Sequence, residues 1–162
     1  MAAPDAAPWT HALEPETIAR YRAKLLTVPG DDCLWWVGAI SSHSAHGRFW
    51  IGPHRVVIAH RFAYALAAGP KAATDIPLLA HRCDNPLCQR VDPAHITPST
   101  PLLNRREWSA RRFMIGSPLG DSRGAWQRAK TLRDLGRRDP QLLAAELARL
   151  RRRTGHQPPL WE

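Results

Sequence analysis

The pattern Cys83-x4-Cys88-x6-His95, with a third cysteine far upstream at Cys33, restricts this chain more than any other feature. Zinc takes four soft or borderline ligands in a tetrahedron, and this loop brings three of them together. The fourth has to come from elsewhere. Cys33 is the obvious donor, since the strands that follow it can fold against the loop, although His43, His46, His54 or Asp84 could also supply it. A closed thiolate shell holds no position for substrate, so such a zinc would be structural and would tie distant parts of a small fold together. Three cysteines is an odd count. Thiols stay free in a reducing compartment, which favours metal ligation over a disulfide; three buried, unpaired thiols are the alternative. His81 and Asn104 flank the loop without being needed in the shell, and two spare groups of that kind suggest chemistry.

Composition sets the partner class. Lys and Arg number 23 against 14 Asp and Glu, a net charge of +9 at pH 7 over 162 residues. The length suits one domain with extensions, and the charge favours a polyanion. A ribosomal or membrane-surface role would also satisfy the charge. Met1 to Pro8 lacks a basic segment followed by an apolar run, and no stretch of eighteen apolar residues occurs, so the chain reads as soluble, unexported and cytoplasmic.

Three segments are expected. Residues 1–30 form an amino-terminal arm, with a helix from Pro15 to about Leu26 closed by Pro29-Gly30. Residues 31–113 form the core. Leu34 to Ala39, Gly47 to Ile51 and Arg55 to Ile58 are short aromatic and β-branched runs broken by turn residues, which predicts a three-stranded antiparallel meander. His60 to Ala68 has helical spacing and stops at Gly69-Pro70. Ile76 to Ala80 and His95 to Thr97 read as two strands around the cysteine loop. Ser99 or Thr100 then caps a helix with Pro101 in its first turn, which places Asn104 early on a helix running to about Phe113. Residues 114–162 are a linker followed by two basic helices. The first is expected to end at Gly136; the second starts at Pro140 with Leu142, Leu143, Leu147 and Leu150 on one face. The cluster Arg149, Arg151, Arg152 and Arg153 is either a solvated face or a phosphate-contacting tail.

Taken together, Cys33-Leu34-Trp35-Trp36, Gly47-Arg48-Phe49, Ala59-His60-Arg61-Phe62-Ala63-Tyr64, His81-Arg82-Cys83-Asp84-Asn85-Pro86-Leu87-Cys88, Asp92-Pro93-Ala94-His95 and Asn104 resemble the zinc-bound HNH branch of the His-Me finger endonucleases. The likeness covers roughly Cys33 to Trp108. It implies an α+β fold in which a small meander joins a zinc-stabilised ββα-metal core, with helical extensions at both ends. It also implies a metal-dependent DNA endonuclease of phage or mobile-element type. In that reading His81 is the general base that activates water. Asn104 holds a catalytic Mg2+ or Mn2+, Cys33, Cys83, Cys88 and His95 hold structural Zn2+, and Arg61 lies near the scissile phosphate. The chain departs from the family in two places. Six residues separate Cys88 from His95 where many relatives have four, and Asp92 stands where an asparagine often braces the loop.

Duplex DNA would then meet the meander, with Arg48, His54 and Arg55 as candidate contacts, because a β-ribbon fits the major groove. Gln157, Leu160 and Trp161 form a tail similar to peptides that dock on the bacterial sliding clamp. Two other functions compete: a zinc-stabilised DNA-binding protein without turnover, and an RNA-binding or ribosome-associated zinc protein, which would prefer RNA to duplex DNA.

Overall fold

Pro15 at the first helical position and Glu16 in the first turn start helix α1 (Pro15–Arg22), and Arg20 and Arg22 complement its far end. The computed structural model describes Trp9 and residues 12–155. The proposed clamp-binding tail lies outside the described residues, as does Met1 to Pro8. The helix ends four residues short of the expected Leu26. Leu25–Thr27 instead forms strand β1, pairing antiparallel with β2 (Leu34–Trp36) in the register Leu25↔Trp36 and Thr27↔Leu34. Ladder hydrogen bonds and burial of Trp35 and Trp36 outweigh the helical preference of the two leucines.

This pairing also corrects the meander. Its first run splits at Val37: Leu34–Trp36 belongs to the β1 sheet, while β3 (Ala39–Ile40) opens a separate three-stranded sheet with β4 (Gly47–Gly52) and β5 (Arg55–Ile58). The break spans Val37 and Gly38: a side chain at Gly38 would collide with the Trp36 indole, and Val37 N–H donates to Lys24 O at 2.9 Å. Along β4 burial alternates strictly, with Phe49 and Ile51 inside and Arg48 and Trp50 outside.

Helix α2 (Ala59–Ala68) buries Ala59, His60, Phe62, Ala63 and Ala65, and stops at Gly69, whose φ of 92° favours glycine. Pro70 then opens a short helix, α3 (Pro70–Asp75), in a stretch for which no element was expected; a proline that cannot continue one helix is suited to begin the next. Strands β6 (Leu78–His81) and β7 (Ile96–Ser99) pair antiparallel with His81 opposite Ile96. Helix α4 (Pro101–Arg111) follows directly, capped by Thr100 Oγ1, which accepts from Leu103 N–H at 3.2 Å. Helices α5 (Ala125–Arg138) and α6 (Pro140–Gly155) pack on each other.

Gly136 does not end α5. It is a buried point of close approach, where a Cβ would sit 3.0 Å from Leu143 and 3.1 Å from Leu26. Leu143 and Leu147 are buried, but Leu142 is 45 % exposed, so only part of the face expected on α6 is covered. One hydrophobic cluster runs through the molecule, from Trp9 and Tyr21 through Trp36, Phe49 and Phe62 to Leu132 and Leu143. At its centre Tyr21 stacks on Trp36 at 5.5 Å and meets Phe62 at 4.7 Å. The fold is α+β with small antiparallel sheets. Among the described residues no helix is long and apolar enough to cross a membrane.

Candidate metal centre and cleft

The segment after β6 is shaped by its own polar atoms. Asp84 takes a φ of 54°, and its N–H donates to His81 O at 3.1 Å; Asn85 Oδ1 accepts from Leu87 N–H at 3.0 Å. Strand β2 then lies along this loop: Trp36 N–H donates to Leu87 O at 2.8 Å, and Gln89 N–H to Leu34 O at 2.7 Å. That pairing carries Cys33 to the loop. Cys33, Cys88 and His95 present ligand atoms within 4.8 Å of one another; Cys83, half-buried on the same loop, is not part of that group, although its thiol interacts with those of Cys33 and Cys88. Of the other donors open to the sequence, Asp84 is taken by Arg111 at 2.9 Å, while His43 and His54 are exposed on turns.

The donor set suits zinc. Hydrogen bonding to Cys83 pushes the Cys33 thiol up to about 12, and hydrogen bonding to Cys33 does the same to Cys88. Buried thiols crowded together in this way become thiolates only with a cation among them. The Asn85 side chain favours the Cys33 thiolate, and its buried Nδ2 has no hydrogen-bond partner, a donor that a metal-bound sulfur would satisfy. His95 is oriented for ligation too. Its Nδ1–H donates to Asp92 Oδ1 at 2.8 Å, which leaves Nε2 free. Asp92 also accepts from Ala94 N–H at 2.8 Å, so the carboxylate itself braces the loop.

A cleft of about 630 Å3 takes in His81, Asn104, Arg61, His46 and His60. His81 ends β6 and Asn104 lies in the first turn of α4, so the hairpin and its helix bring them to one cavity. His81 Nε2 is 3.2 Å from His60 Nδ1, and His81 Nδ1 is buried without a hydrogen-bond partner. Burial, then the neighbouring His46, holds His81 down to about 3, and burial also lowers His60 and His46. All three imidazoles are therefore neutral at physiological pH.

Helix α4 buries no residue. Ion pairs hold it to the loop: Arg111 is bidentate to Asp84 at 2.9 and 3.1 Å, and Arg82 reaches Glu107 at 3.3 Å. Arg61 lines the cleft, but its NH2 donates to Ala73 O at 3.2 Å and Ile76 O at 2.8 Å, bracing the end of α3. Arg48, His54 and Arg55 stand exposed on the β4–β5 ribbon, apart from the catalytic candidates. The ribbon starts at the rim of the cleft, since Ile58, opposite Arg48 in the register, lines it. In the arginine cluster, Arg149 pairs with Glu146 at 2.6 Å and Arg151 with Asp31 at 2.6 Å, so these two cations serve α6 and its docking.

His60 and His46 were not assigned to this site from the sequence. The signal for His60 was its place on the otherwise apolar face of α2, between Ala59 and Phe62; His46 carried none beyond being a possible zinc ligand. The chain matches no family model, no curated protein and no solved structure.

Proposed function

We propose that the chain is a metal-dependent endonuclease that hydrolyses phosphodiester bonds of duplex DNA on a zinc-stabilised ββα-metal core of the HNH type. The observation that carries this reading is the unpartnered Nδ1 of His81 beside a cleft shared with Asn104. An unpaired buried nitrogen costs on the order of 1–3 kcal/mol, and such a cost persists where the atom has work to do.

In the reactive tautomer His81 Nε2–H donates to His60 Nδ1. The lone pair is then on Nδ1, which accepts a proton from the attacking water. That nitrogen is closed to solvent in the free chain, so its use requires the cleft to widen, and α4 is the wall best able to yield because ion pairs and a cap hold it. Asn104 offers a hard amide oxygen that suits Mg2+ or Mn2+, with phosphate oxygens and water completing the shell. When bound, that ion would neutralise charge developing on the phosphate and stabilise the leaving oxygen. Cys33, Cys83, Cys88 and His95 would hold structural zinc and fix the β6–β7 connection. Arg48, His54 and Arg55 would steer the duplex toward the cleft.

The test is conversion of supercoiled plasmid in Mg2+ or Mn2+, with wild type beside His81→Ala and Asn104→Ala matched for zinc content and DNA affinity. Cleavage should fall at least about 100-fold in each variant while binding is kept. Equal binding of duplex by all three with no cleavage would overturn the enzyme and leave a zinc-stabilised DNA-binding protein. Tighter binding to RNA than to duplex would overturn both.

A further inference from the structure

The endonuclease reading uses one histidine of the cleft, yet three converge there. His46 arrives from the loop before β4, His60 from the buried face of α2 and His81 from the end of β6. Each offers a ring nitrogen within 4.8 Å of those of the other two, and their ring centroids are 4.6 to 5.4 Å apart. The 3.2 Å between His81 Nε2 and His60 Nδ1 is close to the separation of about 3.3 Å between two nitrogens on one tetrahedral zinc with bonds of about 2.0–2.1 Å.

We infer that His46, His60 and His81 form a second metal site, separate from the thiolate centre, for a borderline divalent transition ion such as Zn2+, Co2+ or Ni2+. Three imidazoles with no carboxylate in the set suit these ions and not Mg2+ or Ca2+, which require oxygen ligands. Three protein ligands leave a fourth position open to water. The site also has a consequence that rests on the endonuclease reading. A neutral imidazole has one lone pair, so an ion on either nitrogen of His81 leaves none to accept a proton from water. Occupancy therefore switches off the base, and Asn104 keeps its own preference for a hard ion.

The experiment uses the full chain with its thiolate centre already zinc-loaded. After dialysis against Zn2+, wild type should retain two metal equivalents, and His46→Ala and His60→Ala one each. Co2+ added to the zinc-loaded protein should give the visible absorption of a nitrogen and oxygen shell without a thiolate-to-cobalt band, and this should be absent from both variants. His60 is buried, so if His60→Ala does not fold, His46→Ala alone decides. A wild type that retains one equivalent, or a His46→Ala protein that retains two, overturns the site. In a Mg2+-supported plasmid assay, Zn2+ should lower wild-type cleavage at least tenfold in step with uptake of the second equivalent, and this zinc-dependent ratio should collapse toward one in His46→Ala. Uptake of the second equivalent with cleavage unchanged overturns the switch. Absence of cleavage under every condition sinks the endonuclease reading instead, and the metal stoichiometry still decides the site.

Discussion

The loop between β6 and β7 and the helix after β7 rest on the same hairpin, but different forces fix them. The loop is enclosed: Leu87 and Cys88 are fully buried, Tyr21 Oη–H donates to Gln89 Oε1 at 2.8 Å, and β2 pairs along it. Helix α4 buries nothing and depends on a threonine cap and on ion pairs from Arg82 and Arg111. Burial and metal-type ligands make a connection that has one arrangement. A helix held by a cap and ion pairs, without apolar burial, tolerates small displacements, and the half-exposed Arg82–Glu107 pair contributes little. The candidate base is fixed to the rigid part, and the candidate Asn104 ligand is carried on the adjustable one, which is a reasonable division for a cleft that has to admit a polymer.

The largest break should come at the enclosed end. Cys88→Ser should release the metal and abolish cooperative thermal melting, because structural zinc in small domains contributes on the order of 10 kcal/mol of apparent folding free energy. Circular dichroism melts read beside zinc content check this; an unchanged melt with full zinc would disprove the metal centre. Next, Arg111→Ala leaves the Asp84 carboxylate, largely buried, without its bidentate partner. A cost of about 1–3 kcal/mol is expected by urea titration, with faster amide exchange confined to α4. Equal loss of protection in β6 and β7 would show that the helix and hairpin are one unit. Thr100→Ala removes the cap and should cost about 1 kcal/mol. Since the cap is local to Asn104, cleavage should fall proportionally more than the melting midpoint does. The smallest effect on stability, within about 0.5 kcal/mol, belongs to the paired change Arg48→Ala and Arg55→Ala on exposed positions. The dependence of log affinity for duplex on log salt should nonetheless become shallower by about 1 for each phosphate that the variant no longer neutralises; an unchanged slope would remove the ribbon from the interface.

Much of the local structure was legible. The Thr100-Pro101 start of α4, the Gly69 stop of α2 and the two strands around the cysteines follow from turn and cap chemistry that acts over a few residues. The misreadings fall where a distant contact overrode a local preference. Leu25 and Leu26 joined β1 because Trp35 and Trp36 were there to pair with, and Gly136 stayed inside α5 because Leu26 and Leu143 press against it. Arg61, expected near the scissile phosphate, does line the cleft; that its side chain also holds the carbonyls of Ala73 and Ile76 is a geometry to which no spacing pointed.

By itself the sequence determined the chemical inventory: three cysteines and His95 at ligand spacing, a basic chain, and a histidine and an asparagine flanking one loop. Spacing is informative over a turn or a hairpin, where chain geometry leaves few arrangements. Only the tertiary structure decided that Cys33 joins Cys88 and His95, since β2 has to pair along residues 87–89 to bring it there. The same is true of His46, His60 and His81, which come from three elements that meet because the aromatic core beneath them closes. Burial and packing, which act between residues far apart in the chain, select among the many ways of joining those elements, and no local pattern encodes that selection.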